Sequence, residues 1–441
     1  MNSERKPAAP DPPLPRVVGV PGAVFLGLGS ILGSGIFVSI GVAAGVGGSS
    51  VLLAVVVAAV VALFNGLSSA ELAASHPQSG GTYEYGYRYL SPRLGFVAGL
   101  MFLCAKSASA ASAALGFAGY ALTALGRSHE GERIIVALLL VVLLTAVAAS
   151  GMQRSSKLNA VMVTVTLVGL LGFVVAGFLR TRSAGAEPFS PFFAEQSGVQ
   201  GFLHATALMF VGYTGYARIA TLGEEVRAPE KSIPRAIVTT LFLTMLIYVA
   251  VTAVAVALVG ADGLARATRA DVAPLQIAAR QTSLPGVTWL VAVAAITAMA
   301  GVLLNLLLGL SRVVLAMARR RDLPALLATL DQKRGSPRRA VLFVGVAIAA
   351  LCTIGDVKTT WSFSAFSVLV YYALTNLAAL RLPREKRRYP RFVAALGLVS
   401  SIGLAFWVEA EFWAPGVGLI LLGLAWHSLA RWVRPQADGR E

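Results

Sequence analysis

Twelve stretches of the chain are apolar for about the length a helix needs to cross a bilayer, and this constrains the fold more than any other feature. A helix rises 1.5 Å per residue, so about 20 predominantly apolar residues span a hydrocarbon core of ~30 Å. Charged, Pro-rich and Gly-rich punctuation bounds the stretches at roughly 17–45, 49–73, 94–124, 134–150, 158–179, 201–222, 236–260, 286–317, 340–355, 361–380, 392–409 and 414–430. The fourth and ninth are short. Hydrophobic residues make up 56% of the 441 and charged residues 13%, about half the charged share of a soluble domain. Such a chain cannot clothe a water-facing surface. A soluble globular fold, a disordered chain and a coiled coil are excluded, and the predicted class is an all-α polytopic membrane protein with twelve transmembrane helices.

The net charge of +16 would suggest nucleic acid in a soluble chain. Here it is better explained by topology, because cytoplasmic loops carry an excess of Lys and Arg. An even number of spans puts both termini on one side. If that side is the cytoplasm, 26 of the 37 Lys and Arg residues fall on it, 8 fall outside and three (Lys106, Arg218 and Arg312) lie within spans. The basic runs Arg319-Arg320-Arg321 and Arg384 to Arg391 are then orientation signals, and no nucleic-acid partner is expected. Met1 to Arg16 is polar, carries five prolines and leads into a long apolar segment, so it reads as a flexible tail rather than a cleaved leader.

Two spans are interrupted near their middles. The first contains Gly33-Ser34-Gly35-Ile36-Phe37 and the sixth contains Gly212-Tyr213-Thr214-Gly215. Unpaired backbone groups are costly in a bilayer, so helix breaks persist where they line a cavity or a ligand. Paired Gly-interrupted segments in matching halves point to a secondary transporter's substrate site. One half-helix offers free N–H groups and a positive dipole end to a carboxylate. The other offers free carbonyls to an ammonium. A zwitterionic amino acid fits both; close helix packing at the glycines is the competing explanation.

Gly33-Ser34-Gly35-Ile36-Phe37 resembles the first-helix signature of the amino acid–polyamine–organocation superfamily. Three further stretches resemble it in the same order: Ala70-Glu71-Leu72 through His76-Pro77-Gln78-Ser79-Gly80-Gly81-Thr82-Tyr83-Glu84-Tyr85; Gly223-Glu224-Glu225-Val226 to Pro229 with Ile233-Pro234-Arg235-Ala236-Ile237; and Gly309-Leu310-Ser311-Arg312 to Leu323-Pro324. The resemblance implies a LeuT-like fold of two inverted five-helix repeats, at 17–182 and 200–381, with discontinuous helices 1 and 6. Two peripheral helices follow at 391–430, and tails lie at 1–16 and 431–441. It implies an amino acid permease that moves its substrate by alternating access, as a symporter or antiporter, in the plasma (inner) membrane. The substrate carboxylate would meet the backbone N–H groups of Ser34 and Gly35, with the Ser34 hydroxyl nearby. Its ammonium would meet the carbonyls of Ile31, Val211 and Thr214, and its side chain would lie near Tyr213 and Gly215. Three positions depart from the family pattern. Val211 stands where many relatives carry a large aromatic gate, leaving Phe210 and Tyr213 as gate candidates. Thr166 aligns with the fifth-span lysine of proton-coupled relatives. Ala217, followed by Arg218, stands where some members carry an acid.

An ionisable residue inside a membrane is a functional hypothesis by default. Lys106 lies near the midplane of the third span, with no acid in the middle of any span, and is the candidate for proton coupling or for pairing with substrate. Structural hydrogen bonding to an unwound segment is the alternative. Arg218 can snorkel or pair with Glu224 or Glu225. The four histidines have no ligand spacing, and Cys104 and Cys352 lie apart in apolar runs, so neither a metal nor a cofactor is expected. The cations disfavour cationic substrates, and neutral or acidic amino acids are expected. The rival functions are a polytopic membrane enzyme and a non-transporting sensor or scaffold. The first lacks a catalytic cluster, since Glu71, His76 and Glu84 match the family's structural loop; the paired breaks count against the second. Sequence alone leaves the oligomeric state open.

Overall fold

The computed structural model describes residues 18–76, 80–127, 129–150, 156–182, 189–194, 197–220, 226–282, 284–331, 337–354 and 356–432. Their regular structure is almost wholly helical, with one isolated parallel bridge between Val18 and Val226. The first interrupted stretch forms α1 (Val20–Ile31), α2 (Ser34–Phe37) and α3 (Ser39–Gly47). Then come α4 (Val51–Ser75), the short α5 (Thr82–Tyr89), α6 (Pro92–Ala124), α7 (Glu130–Ala149) and α8 (Ser156–Thr181). The second interrupted stretch forms α9 (Gly198–Tyr213), a 3₁₀ turn (Thr214–Tyr216) and α10 (Ala217–Ala220). The chain continues through α11 (Pro229–Ala270), α12 (Pro274–Arg280), α13 (Pro285–Arg319), α14 (Arg338–Ile354), α15 (Val357–Leu380), α16 (Arg391–Ala405) and α17 (Ala410–Trp432).

Among the described residues eight helical runs are long and apolar enough to cross a membrane, so the chain is an integral membrane protein. The expected first, sixth, ninth and eleventh spans fall on the shorter α1, α9, α14 and α16. A 42-residue α11 would run about 63 Å if straight, twice a bilayer core. It instead turns at Gly260, whose φ of 70° lies in the left-handed region that glycine occupies without a Cβ penalty. The other long run, Ser34–Ser75, is divided by the 3₁₀ turn Gly48–Ser50. Helix starts follow local chemistry. Proline occupies the first turns of α6, α11, α12 and α13, where its missing N–H costs nothing. The Ser91 and Asp356 side chains accept from the N–H groups of Leu94 (3.3 Å) and Thr359 (2.6 Å) and cap α6 and α15.

The helices are not equally buried. α6 packs on α13 and α15 and carries small buried residues such as Ala105, Ala108, Ala111 and Ser112. Water is absent from the bilayer core, so such helices associate by close approach and hydrogen bonding rather than by hydrophobic burial. Hydroxyl pairs join α6 to α15, Ser109 with Ser364 at 2.8 Å and Ser112 with Thr360 at 2.7 Å. At the periphery, Leu139, Val142, Leu171, Val346, Leu421 and Leu422 are each about two-thirds exposed. An apolar belt of this extent fits lipid contact and would be an aggregation hazard in water.

Candidate functional site

The two interrupted stretches meet. α1 ends with the Leu32 N–H on the Leu28 carbonyl at 2.8 Å, and Leu32 is extended. The N–H groups of Ile36 and Phe37 both reach the Gly33 carbonyl at 3.1 Å. The N–H groups of Ser34 and Gly35 therefore precede the ladder of α2. Across from them, α9 stops at Tyr213 and tightens into the 3₁₀ turn. A Cβ added to Gly35 would stand 2.7 Å from the Gly212 Cα and 2.7 Å from the Tyr248 hydroxyl. One added at Gly215 would strike the Ser30 carbonyl. The glycines of both breaks thus bring two backbones into contact.

Tyr248 of α11 links them, its hydroxyl lying 3.2 Å from both the Ile31 and the Gly212 carbonyl oxygens. The Thr214 hydroxyl donates to the Val211 carbonyl at 2.7 Å, and the Tyr372 hydroxyl donates to the Thr214 carbonyl at 3.4 Å. All three carbonyls expected to receive a substrate ammonium, those of Ile31, Val211 and Thr214, accordingly accept protein donors in this conformation. Ser34 and Gly35 are buried, and the Ser39 hydroxyl donates to the Gly35 carbonyl. The gate candidates are fully buried. Phe210 meets the Tyr372 ring edge-on at 5.6 Å, whereas Tyr213 lies 5.0 Å from the Tyr248 ring and donates to the Val55 carbonyl at 3.1 Å. Thr166 is buried and donates to the Met162 carbonyl of its own helix at 2.8 Å.

Lys106 reaches the second break. Its Nζ donates to the Thr214 Oγ1 at 2.7 Å, and the residue is 7% exposed. A cavity of about 160 Å³ opens beside this contact, enough for an amino acid rather than a single water. It touches Thr214 and Gly215 of the second break and Ser30 just ahead of the first, but not Ser34 or Gly35. Lys106, Arg218 and Arg312, the three cations placed within spans by sequence, all line it.

The floor of the cavity is α5, through Thr82, Tyr83 and Tyr85. Tyr83 and Tyr87 donate to the buried Asp322 carboxylate at 2.7 and 2.6 Å. Thr82 shares a hydrogen bond with Thr375 at 2.7 Å. Glu84 pairs with Arg320, whose guanidinium sits 4.5 Å from the centre of the Tyr87 ring. Burial raises the Glu84 carboxyl pKa, and the nearby Arg320 only partly offsets that rise. The same end of the molecule gathers Arg388, which pairs with Glu230 at 2.9 Å and donates its backbone N–H to Glu71. At the opposite end a wider vestibule of about 1170 Å³ is lined by His204, Asp262, Arg266 and Glu409, with Lys358 pairing Glu409 at 3.0 Å. Gly35, Gly212, Phe210, Tyr213 and Tyr248 line neither of the two.

Sequence reasoning missed Tyr248, Tyr372 and Asn305. The first two could have been found as tyrosines inside apolar spans, where a hydroxyl needs a partner. Asn305 was visible as one amide within an apolar helix. The motif residues 77–79 and 221–225 lie outside the described residues, as do 151–155, and with them the suggested partners of Arg218 at Glu224 and Glu225. Among the described residues no group of three or more His, Cys, Asp or Glu is arranged to hold a metal ion.

The sequence model of a family described as amino acid permease matches residues 22–439. An uncharacterized transporter of Mycobacterium tuberculosis (strain ATCC 25618 / H37Rv) is 42% identical over 428 residues, covering 96% of this chain and 93% of the relative. The branched-chain amino acid permease BcaP of Bacillus subtilis (strain 168) is 26% identical over 437 residues, covering 95% and 90%. The vacuolar cationic amino acid transporter 8 of Arabidopsis thaliana is 26% identical over 404 residues, covering 88% and 66%.

Proposed function

The chain belongs to the amino acid permease family, and on that premise we propose that it moves neutral or acidic amino acids across the membrane by alternating access around its two helix breaks. It is a transporter and not an enzyme, as its family and relatives are. The observation that carries the reading is the backbone contact of the two breaks at Gly35 and Gly212, with a cavity reaching the second break from the α5 side. In this reading the chain crosses the membrane twelve times. Residues 17–182 and 200–381 are inverted LeuT-like repeats, and 391–430 add two peripheral helices. Both termini and α5 lie on the cytoplasmic side. The gathering of Arg320 and Arg388 at the α5 end supports that orientation.

The conformation then corresponds to an inward-facing state. The Ser34 and Gly35 N–H groups are the carboxylate site. A substrate ammonium would displace the Tyr248, Thr214 and Tyr372 hydroxyls from the Ile31, Val211 and Thr214 carbonyls. The cost of occupancy is thus an exchange of hydrogen bonds rather than the exposure of bare carbonyls. The family's substrate chemistry is not uniform, since one relative's name specifies branched-chain and another's cationic amino acids.

For coupling, Thr166 cannot carry a proton, whereas Lys106 can, and its bond to Thr214 ties its state to the second break. Tyr83, Tyr85, Tyr371, Arg218 and Arg312 share its cavity. Radiolabelled amino acid uptake into proteoliposomes tests both steps. Wild type should accumulate substrate when an inward proton gradient is imposed. Lys106→Met should lose that drive; a variant that keeps full proton-driven accumulation removes Lys106 from the coupling step.

A further inference from the structure

We propose that the cavity beside Lys106 is a carboxylate-binding vestibule and that the preferred substrate is an acidic amino acid, its side-chain carboxylate pairing with the Lys106 ammonium. The inference rests on the transport reading above and narrows its substrate class.

Lys106 sits within the 33-residue α6 and is 7% exposed, too deep to serve as an interfacial orientation charge. An ammonium has three N–H donors. Among the described residues one of them has a partner, the Thr214 hydroxyl oxygen, and that hydroxyl spends its own proton on the Val211 carbonyl. Among the described residues no carboxylate pairs with it. A buried cation without a counter-charge is costly, and the cavity in front of it is where a counter-charge can enter.

The rest of the lining suits an anion. Among the described lining residues there is no Asp or Glu, and on α13 the cavity face carries Asn305, Gly309 and Arg312. These lie four and three residues apart, which stacks them on one side of the helix. Asn305 offers amide N–H groups. Gly309 leaves open space, with nothing within 4 Å of an added Cβ. Arg312 presents a guanidinium fork whose geometry matches a carboxylate. Thr214 joins this surface to the second break. A substrate that meets the second break at Thr214 and Gly215 therefore has a cationic wall in the adjoining cavity. A cationic side chain would meet Lys106 with like charge, and a neutral one would leave that charge unpaired.

The test is counterflow in proteoliposomes containing the full chain. Unlabelled amino acid is placed inside, labelled glutamate outside, and glutamate, aspartate, glutamine, asparagine and arginine serve as competitors. Glutamate and aspartate should compete at least about tenfold better than their isosteric amides, the worth of one charge-assisted hydrogen bond. Lys106→Met should collapse that preference, and Lys106→Arg should retain it. Exchange of the amides as fast as the acids by wild type would overturn the inference while leaving amino acid transport intact. Absence of exchange with any amino acid would instead overturn the transport reading. A monodisperse Lys106→Met protein that keeps the preference would remove Lys106 from the site. If that variant does not fold, the wild-type competition pattern alone decides.

Discussion

Replacing Gly35 by alanine should destabilise the protein in a way that its own contacts predict. The added Cβ would stand 2.7 Å from the Gly212 Cα and 3.2 Å from the Gly212 carbonyl oxygen. Ordinary contacts begin near 3.5 Å, so the breaks must separate by most of an ångström. Neither neighbour can swing aside, because both are backbone. Overpacking of this kind costs about 1–3 kcal/mol, and alanine's better helix propensity returns less than about 1. The net expectation is a loss of about 1–2 kcal/mol. Two other glycines calibrate it. At Gly212 the nearest atoms to an added Cβ are the Tyr248 ring at 3.2 Å and the Gly35 Cα at 3.3 Å, tight but nearly tolerable. At Gly403, on the exposed face of α16, nothing lies within 4 Å. Apparent melting temperatures in detergent should therefore fall most for Gly35→Ala and less for Gly212→Ala. Gly403→Ala should melt at or slightly above wild type. Membrane proteins commonly melt irreversibly, so the ranking at one scan rate is the readout. A Gly35→Ala protein as stable as Gly403→Ala would refute the close contact of the two breaks.

Two further predictions concern the link and the orientation. Tyr248→Phe removes the hydroxyl that lies between the Ile31 and Gly212 carbonyls and should cost about 1 kcal/mol, read as a lower apparent melting temperature; an unchanged melt would show that the hydroxyl does not tie the breaks together. A cysteine introduced between Arg384 and Arg391 should be protected from membrane-impermeant thiol reagents applied outside cells, and efficient external labelling would reverse the topology.

The helical membrane class was legible because hydrophobic length needs no tertiary information. The breaks at Gly33–Gly35 and Gly212–Gly215 were legible because glycine clusters interrupt otherwise uniform apolar runs. Their exact neighbours were not. Tyr248 and Tyr372 reach the breaks from other helices, and no local pattern says which carbonyl a distant hydroxyl will find. The helix α5 escaped for a different reason. Its tyrosine-rich sequence has no long apolar face, and it is held by Asp322, Thr375 and Arg320 from the far half of the chain. Lys106 is visible in the sequence as a charge within an apolar run, but its neighbours are not. It bonds an interrupted segment, through the Thr214 hydroxyl rather than a carbonyl, and also faces a cavity.

Substrate uptake that depends on the first break is the most direct measurement. Purified wild type and Gly35→Leu, both monodisperse in detergent, would be reconstituted into proteoliposomes and assayed with labelled amino acids in competition with all twenty. Wild type should show saturable uptake of a neutral or acidic amino acid, and Gly35→Leu should lose it, because its side chain would drive the first break off the Gly212 backbone and the Tyr248 hydroxyl. Wild-type uptake by the Gly35→Leu protein, or no amino acid uptake by wild type, would contradict transport at the two breaks.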